Sequence, residues 1–332
     1  MNKDRAAMDL DWIKGPVKEE FDSLRVYFKS FLQTDIPIID RVFEHLIQGG
    51  GKRFRPLLVL LVSACSAARN PEHTFRLAVA VEFLHTATLL HDDVVDQSDL
   101  RRGNRVAYRI WGAEPSVLAG DYLYSRAFNL LVEIKDPAVL ETISGATTRM
   151  ARGEMLQLLR SYSPATTREE YLEVIRGKTS SLISATCEAA ARLAGFDEAG
   201  IKSLGEYGHN LGMSFQIVDD VLDYTGEKGV FGKATGKDFL EGKVTLPLIL
   251  LMERLGAREK SRILEIFKVD SPSQEDFQAI LEMMEENDAL EGTMEVAGSY
   301  RDAAIEALQS IPAGPCRGSL ESLADYVLER NQ

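Results

Sequence analysis

Apolar residues recur along this chain at intervals of three and four almost from one end to the other. Behind Pro16, the residues Val17, Phe21, Leu24, Phe28 and Phe31 fall on one stripe, with the proline where a first helical turn tolerates it. Ile39, Val42, Phe43, Leu46 and Ile47 repeat the spacing and stop at Gly49-Gly50-Gly51. Thr167 with Glu170 reads as a capping box ahead of a long helix that runs through Leu193 and Ala194 to Gly195. Strand-like alternation bounded by turn residues is nearly absent. The pattern predicts a single all-α domain over residues 1–332, with about ten or more helices joined by short connections.

Two segments interrupt the period, GGGKRFRP at 49–56 and TGEKGVFGKATGKDFLEGKVTLP at 225–247, and both are glycine-rich and basic. A glycine-rich connection longer than about 12 residues in a compact domain is commonly functional, often as a lid over a site. A plain flexible surface loop is the alternative.

Composition narrows the choice of partners. At 332 residues and 45% hydrophobic content, the chain can bury a substantial core. Its 38 basic and 51 acidic residues leave a net charge of −13, which argues against nucleic acid or an anionic membrane surface as the main partner. Any anionic substrate therefore needs a local cluster of basic side chains. The longest apolar run, 57–68, is interrupted by Ser63 and Ser66 and falls short of the roughly 20 residues a membrane span needs. Residues 1–14 mix charges of both signs without the apolar centre of a signal peptide. Cys65, Cys187 and Cys316 lie far apart with no metal-type spacing, as buried thiols in a reducing compartment would, so a cytoplasmic location is expected.

The stretch LLHDDVVDQSDLRRG at 89–103 carries the chemistry. On a helix Asp92 and Asp96 share a face one turn apart, with Asp93 rotated by about 100°. Like charges so placed repel unless something neutralises them. His85 lies two turns upstream on nearly the same stripe. The spacing returns as DDVLD at 219–223, where Gln216, Asp219 and Asp223 step by three and four and Asp220 stands beside them. Two such helices facing each other would ring a cavity with carboxylates. Clustered carboxylates without histidine or cysteine ligands suit magnesium, which keeps its other positions for water and phosphate oxygen. The aspartates then hold metal, the metal holds a diphosphate, and Arg101 and Arg102 supply charge-assisted hydrogen bonds. An acidic, solvated helix face is the plain reading of one such motif, but a second copy followed by a Gly-Lys loop argues against it.

Lys52, Arg53 and Arg55 follow three glycines that allow close backbone approach to a phosphate, and Lys178, Lys233, Lys237 and Lys243 add further cations. Gly177-Lys178-Thr179 invites a nucleotide-binding reading, but a P-loop needs a glycine five residues before its final one, and that position is Leu172. The two loop glycines fail the same test, with Phe231 before Gly236 and Glu227 before Gly232.

GGGKRFRP, EFLHTATLLHDDVVDQSDLRRG, GDYLYSRAF, GKTSSL, GMSFQIVDDVLDYTG and EGKVTLP, in this order from about residue 46 to the end, resemble the blocks of the trans-isoprenyl diphosphate synthases, the polyprenyl synthetase family. The resemblance implies a homodimeric all-α fold whose helices enclose a deep apolar cavity, with helices from 16–48 packed on it and several magnesium ions bridged by diphosphate at its mouth. It implies metal ligation by Asp92, Asp96, Asp219, Asp220 and Asp223. It places Lys52, Arg55, His85 and Arg102 on isopentenyl diphosphate, and Arg101, Lys178, Thr179, Gln216 and Lys237 on the allylic diphosphate. Catalysis is implied for Asp92, Asp93, Asp96, Asp219 and Asp220 together with the allylic-side residues. Ionisation leaves an allylic cation near the Thr179 hydroxyl and the Gln216 carbonyl, and the released diphosphate takes the final proton, since no side chain reads as a dedicated base. Tyr108, where many relatives have asparagine, and Ala234, where many have proline after Gly-Lys, are departures from the family pattern.

In the same family the growing chain runs along the helix upstream of the first aspartate motif, where large residues form a floor in short-chain enzymes. Here those positions are Ala87 and Thr88, both small, with Phe83 and Leu84 a turn deeper. A long-chain product, heptaprenyl to decaprenyl and centred on octaprenyl for a quinone side chain, is therefore expected over a geranylgeranyl or farnesyl product. A terpene cyclase ordinarily lacks the second motif and the GGGKRFRP block. A non-catalytic partner subunit tends to lose aspartates or arginines that this chain keeps.

Overall fold

The computed structural model describes residues 9–32, 34–48, 51–101, 103–226, 236–268 and 272–329. Arg102 and the loop segment 227–235, with Gly229, Gly232, Lys233 and Ala234, lie outside the described residues. Seventeen α-helices and one two-stranded hairpin make up the regular structure among the described residues.

The N-terminal helices follow their apolar stripes. Asp9 caps α1 (Leu10–Lys14), and Pro16 sits in a 3₁₀ turn, Gly15–Val17, that leads into α2 (Lys18–Leu32). Leu24, Phe28 and Leu32 are the buried face of α2. After α3 (Pro37–Gln48) comes α4 (Phe54–Ala64), whose residues from Pro56 to Ser63 are all buried, as befits a helix apolar on every side. The long α5 (Pro71–Val95) begins where the Asn70 side chain accepts from the amides of Glu72 (3.0 Å) and His73 (3.3 Å), and it ends at the first aspartate motif.

An antiparallel pair, β1 (Leu100–Arg101) and β2 (Asn104–Arg105), then turns the chain into α6 (Ala107–Trp111) and the hairpin of α7 (Ala113–Glu133) and α8 (Pro137–Arg160). Both bonds of the Thr167–Glu170 capping box are present at the start of α9 (Arg168–Ile175). The helix predicted from there to Leu193 is not uniform: a π-helical turn, Arg176–Ser180, separates α9 from α10 (Ser181–Leu193), and Gly195 closes the run at φ +77°.

The longest helix, α11 (Glu198–Thr225), packs against α10 and against α16 (Ala289–Ala307). Between them in sequence lie α12 (Lys237–Leu240), α13 (Leu246–Arg254), α14 (Ala257–Ile266) and α15 (Gln274–Glu286), and α17 (Pro315–Glu329) ends the described chain. The largest apolar cluster joins Leu24 and Phe28 of α2 to Leu60 of α4, Leu84 of α5, Leu131 of α7, Leu182 of α10 and Leu323 of α17. The N-terminal helices thus share one core with the rest. The two aspartate-bearing helices do not pack closely on each other, and α10 lies against both α5 and α11.

Candidate active site

The first aspartate motif closes α5. Asp92 is half-buried, and burial pushes its carboxyl up to about 6; Lys178 opposes the shift, while Glu154 and Asp96 add repulsion. The rotation of about 100° from Asp92 sends Asp93 to a different partner. Arg101 of β1 clamps it through Nε (3.0 and 3.2 Å) and Nη2 (2.8 Å), and Asp93 is only 3% exposed. Arg101, expected from the sequence on the diphosphate, is thus held by this carboxylate in the structure.

The basic block before α4 stands opposite. Arg53 adopts φ +47°, pairs with Glu82 of α5 (2.8 Å) and lies over the Phe28 ring. Lys52 is exposed, with its ammonium 5.1 Å from the Tyr326 ring centroid. Burial lowers the pKa of Arg55 to about 10 against the pull of Glu82 and Asp219, so it stays charged at neutral pH. Its Nε is buried without an acceptor. Arg55 thus feels acidic groups of both α5 and α11.

The π turn brings its residues to the same place. Lys178 Nζ bonds Gln157 Oε1 (2.6 Å) and Glu154 Oε2 (2.7 Å), both from α8. The turn fits against α8 because two glycines meet there: a Cβ on Gly153 would lie 2.5 Å from the Lys178 nitrogen, and one on Gly177 would lie 2.9 Å from the Arg149 carbonyl oxygen. Thr179 donates its hydroxyl to Gln216 Oε1 (2.7 Å). Gln216 Nε2 donates in turn to Asp220 Oδ1 (2.8 Å), and the Tyr171 hydroxyl donates to Asp220 Oδ2 (2.6 Å). Asp220, read from the sequence as a metal ligand, thus has both oxygens engaged inside the protein. Burial and then Asp238 push its carboxyl well above the usual carboxylate range, while the Tyr171 and Gln216 hydrogen bonds pull it back.

The second half of the glycine-rich segment is built in and not free. The Gly236 amide bonds the Asp223 carbonyl oxygen (2.7 Å) and the Asp238 amide bonds Asp223 Oδ2 (3.0 Å), which ties the returning chain to the end of α11. Lys237 donates to Ser98 (2.6 Å) and pairs with Glu241 (3.2 Å). Lys243 pairs with Glu241 (2.7 Å), Asp238 (3.1 Å) and Asp96 (3.7 Å). Burial works against its charge, yet these carboxylates prevail and hold its pKa above the usual lysine range. It is aimed by Gly242, which at φ +73° lies against the Tyr162 ring so closely that a Cβ would meet it at 2.4 Å.

Gln157, Lys178, Thr179, Gln216, Asp220 and Lys243 line one cleft, which brings the π turn, α8, α11 and the returning segment together. Of the chain-length candidates, Thr88 is half-buried on the stripe of His85 and Asp92, whereas Ala87, Leu84 and Phe83 are buried, the last packed on Phe28 with ring centroids 6.0 Å apart. None of these four lines the cleft. Sequence reasoning missed Glu154, Gln157 and Tyr171, and it noticed Lys243 without assigning it. The one available signal was the step of three from Glu154 to Gln157 on a single face of α8. Among the described residues no group of three or more histidine, cysteine or acidic side chains stands close enough to hold a metal ion. Carboxylates acting in ones and twos, with Asp92 raised by burial and by its acidic neighbours, fit a divalent ion that takes its remaining oxygens from water and phosphate.

The comparisons with known proteins agree with this geometry. The model of the family described as polyprenyl synthetase matches residues 36–284. The octaprenyl diphosphate synthase of Haemophilus influenzae is 37% identical over 99% of both chains. Among solved structures, a polyprenyl synthase from Caulobacter crescentus complexed with calcium and isoprenyl diphosphate superposes with a TM-score of 0.94 at 42% identity, covering 99% of this chain and 100% of that one. A decaprenyl diphosphate synthase from Rhodobacter capsulatus follows with a TM-score of 0.92 at 38% identity, covering 98% and 100%. Because the family model covers most of the chain and the relatives match it over nearly its whole length, this chain belongs to the polyprenyl synthetase family.

Proposed function

We propose that this prenyltransferase is a long-chain trans-polyprenyl diphosphate synthase that extends an allylic diphosphate with isopentenyl diphosphate to about octaprenyl length, in the cytoplasm, for a quinone side chain. The observation that carries the reading is the convergence of Lys178, Thr179, Gln216, Asp220 and Lys243 on one cleft, with Asp92 near Lys178, Asp96 paired with Lys243 and Arg55 near Asp219.

Asp92, Asp96, Asp219 and Asp223 would hold magnesium, which when bound supplies positive charge to a diphosphate leaving group. Lys178 and Lys237, each now paired with glutamate, are the cations to be exchanged onto the allylic diphosphate, with Arg101 close by through Asp93. Arg55, with a buried Nε lacking an acceptor, suits the isopentenyl diphosphate, together with Lys52, His85 and Arg102. When the allylic C–O bond breaks, its electron pair leaves with the diphosphate, and the Thr179 and Gln216 oxygens face the cation left behind. The isopentenyl double bond then supplies the electrons of the new C–C bond. A proton is lost to the released diphosphate, giving an allylic product one isoprene unit longer.

The small pair Ala87 and Thr88 and the octaprenyl and decaprenyl relatives support the long product. Exposed Leu118 of α7 and Met155, Leu158 and Leu159 of α8 support a homodimer formed across the α7–α8 hairpin. No helix among the described residues is long and apolar enough to cross a membrane. The test is product analysis after incubation with magnesium, farnesyl diphosphate and labelled isopentenyl diphosphate, by reversed-phase separation of the dephosphorylated products. A ladder ending at or near octaprenyl is expected. A stop at geranylgeranyl would overturn the chain length, and no condensation by the chain alone would overturn the activity.

A further inference from the structure

Asp220 differs from the other motif aspartates in what surrounds it. It is 3% exposed, and each oxygen accepts one short hydrogen bond, from Tyr171 and from Gln216. The Tyr171 hydroxyl has one proton to give and, 2.6 Å from Asp220 Oδ2, gives it there. An amide has one donating and one accepting end. With Nε2 of Gln216 committed to a carboxylate, Oε1 must turn the other way, where it accepts from the Thr179 hydroxyl. That hydroxyl has then spent its only proton and has only lone pairs left for the cleft that Thr179 and Gln216 both line. Without Asp220, rotation of the amide by half a turn would present an NH₂ group, of the wrong polarity, to a developing cation.

We infer that Tyr171 and Asp220 are positioning residues that lock the Gln216 amide, so that the Gln216 and Thr179 oxygens act only as acceptors toward the reacting carbon, and that Asp220 is not a metal ligand. The inference rests on the cation-stabilising role proposed above for Thr179 and Gln216. The arrangement is electrostatic preorganisation: oxygen dipoles fixed before charge develops need no reorientation as it does. The lock spans α9, the π turn and α11; Tyr171, Ile175, Met213 and Ile217 share an apolar cluster between α9 and α11, and Ser180 of the π turn donates to the His209 carbonyl oxygen of α11 (3.0 Å).

The experiment compares Asp220→Asn and Tyr171→Phe with Thr179→Val and Gln216→Leu. For the first two, kcat should fall roughly 10- to 100-fold, the range of outer-shell groups that orient others. KM for both diphosphates should stay within about twofold, because ground-state binding is untouched. Mn²⁺ binding in the presence of inorganic pyrophosphate, followed by electron paramagnetic resonance, should match wild type in Asp220→Asn and weaken in Asp219→Asn. In a Gln216→Leu background, Asp220→Asn should add almost no further loss, since groups acting through one another are non-additive. A loss of Mn²⁺ affinity in Asp220→Asn, or additive losses in the double variant, would overturn the inference. If Thr179→Val and Gln216→Leu reduce kcat while Asp220→Asn and Tyr171→Phe do not, positioning fails and the cation-stabilising role stands. Should Thr179→Val and Gln216→Leu themselves retain wild-type kcat, that role fails, and the lock with it. Tyr171→Phe, which removes one oxygen atom, carries the test if Asp220→Asn does not fold.

Discussion

Replacing Gly153 by alanine should disable the site from outside the cleft. An alanine Cβ there would lie 2.5 Å from the Lys178 nitrogen, 2.9 Å from the Gly177 carbonyl carbon and 3.1 Å from the Gly177 Cα. Heavy atoms prefer separations of about 3.5–4 Å, so the π turn must retreat by about 1 Å. All three atoms are backbone, and no side-chain rotation relieves the clash. Overpacking of this kind costs about 1–3 kcal/mol, and the gain in helix propensity from glycine to alanine, about 1 kcal/mol, offsets part of it. The net loss of stability is therefore small, at most about 2 kcal/mol. The catalytic loss is not, because the displaced turn carries Lys178 and Thr179, and a misplacement of about 1 Å can cost roughly 100-fold in rate. Gly145→Ala, on the same helix, is the control: its Cβ would meet only the Arg149 Nη1 atom at 3.3 Å, the far end of a flexible side chain. Thermal melting and single-turnover condensation of the two variants separate the effects. If Gly153→Ala condenses at the rate of Gly145→Ala, the contact between α8 and the π turn does not hold the site in register, and the reasoning fails.

Three further outcomes are expected. Lys243→Met leaves Asp96, Asp238 and Glu241 without their shared cation; it should lower stability by about 2–3 kcal/mol in urea titration, somewhat below the cost of breaking a fully buried pair, and an unchanged midpoint would refute the bridge. Thr88→Phe and Ala87→Phe should both shorten the product, and Ala87→Phe, at a position with no exposure, should also destabilise by about 1–3 kcal/mol; unchanged product length in both would refute the proposed path of the growing chain. Leu159→Glu places a charge on a residue 73% exposed in the single chain and should convert a dimer to a monomer in sedimentation velocity, an outcome that a wild-type monomer would exclude.

The helices were legible because their stripes are long and their ends are marked. The Thr167–Glu170 box and the stop at Gly195 could be read as local chemistry, and both stand where the pattern put them. The π turn could not be read this way, because its cause is not local. Nothing in RGKTS distinguishes it from one more α-helical turn; the close backbone approach between Gly153 and Gly177 accompanies it, and that contact exists only once α8 is in place. The same limit applies to the segment after Gly236. It read as part of a loose glycine-rich loop, yet its amides bond Asp223 and its lysines reach Ser98 and Asp96, partners far away in the chain.

The two aspartate motifs have one spacing and two electrostatic solutions, and the course of the chain around each explains the difference. Asp93 and Asp220 occupy the same place in DDVVD and DDVLD, and each is about as buried as the other. Asp93 ends a helix, so the chain can turn at once and return Arg101 to it with a third of the arginine side chain still in water. Such a pair keeps solvent on the cation and avoids the full cost of burying two charges. Asp220 lies in α11, which packs against α10 and α16, and both of its hydrogen-bond donors are uncharged. A second buried charge there would cost more than it returned, and neutral donors serve instead, one from α9 and one from the preceding turn of α11 itself. The first motif's partner is an arginine eight residues downstream, which the sequence marked as a diphosphate ligand, while the second motif's partner is a tyrosine with nothing local to mark it. The same difference explains why the two middle aspartates should respond differently to mutation: loss of Arg101 removes a counter-charge and every one of its hydrogen bonds to Asp93, whereas loss of Tyr171 removes one neutral donor and leaves Gln216 on Asp220.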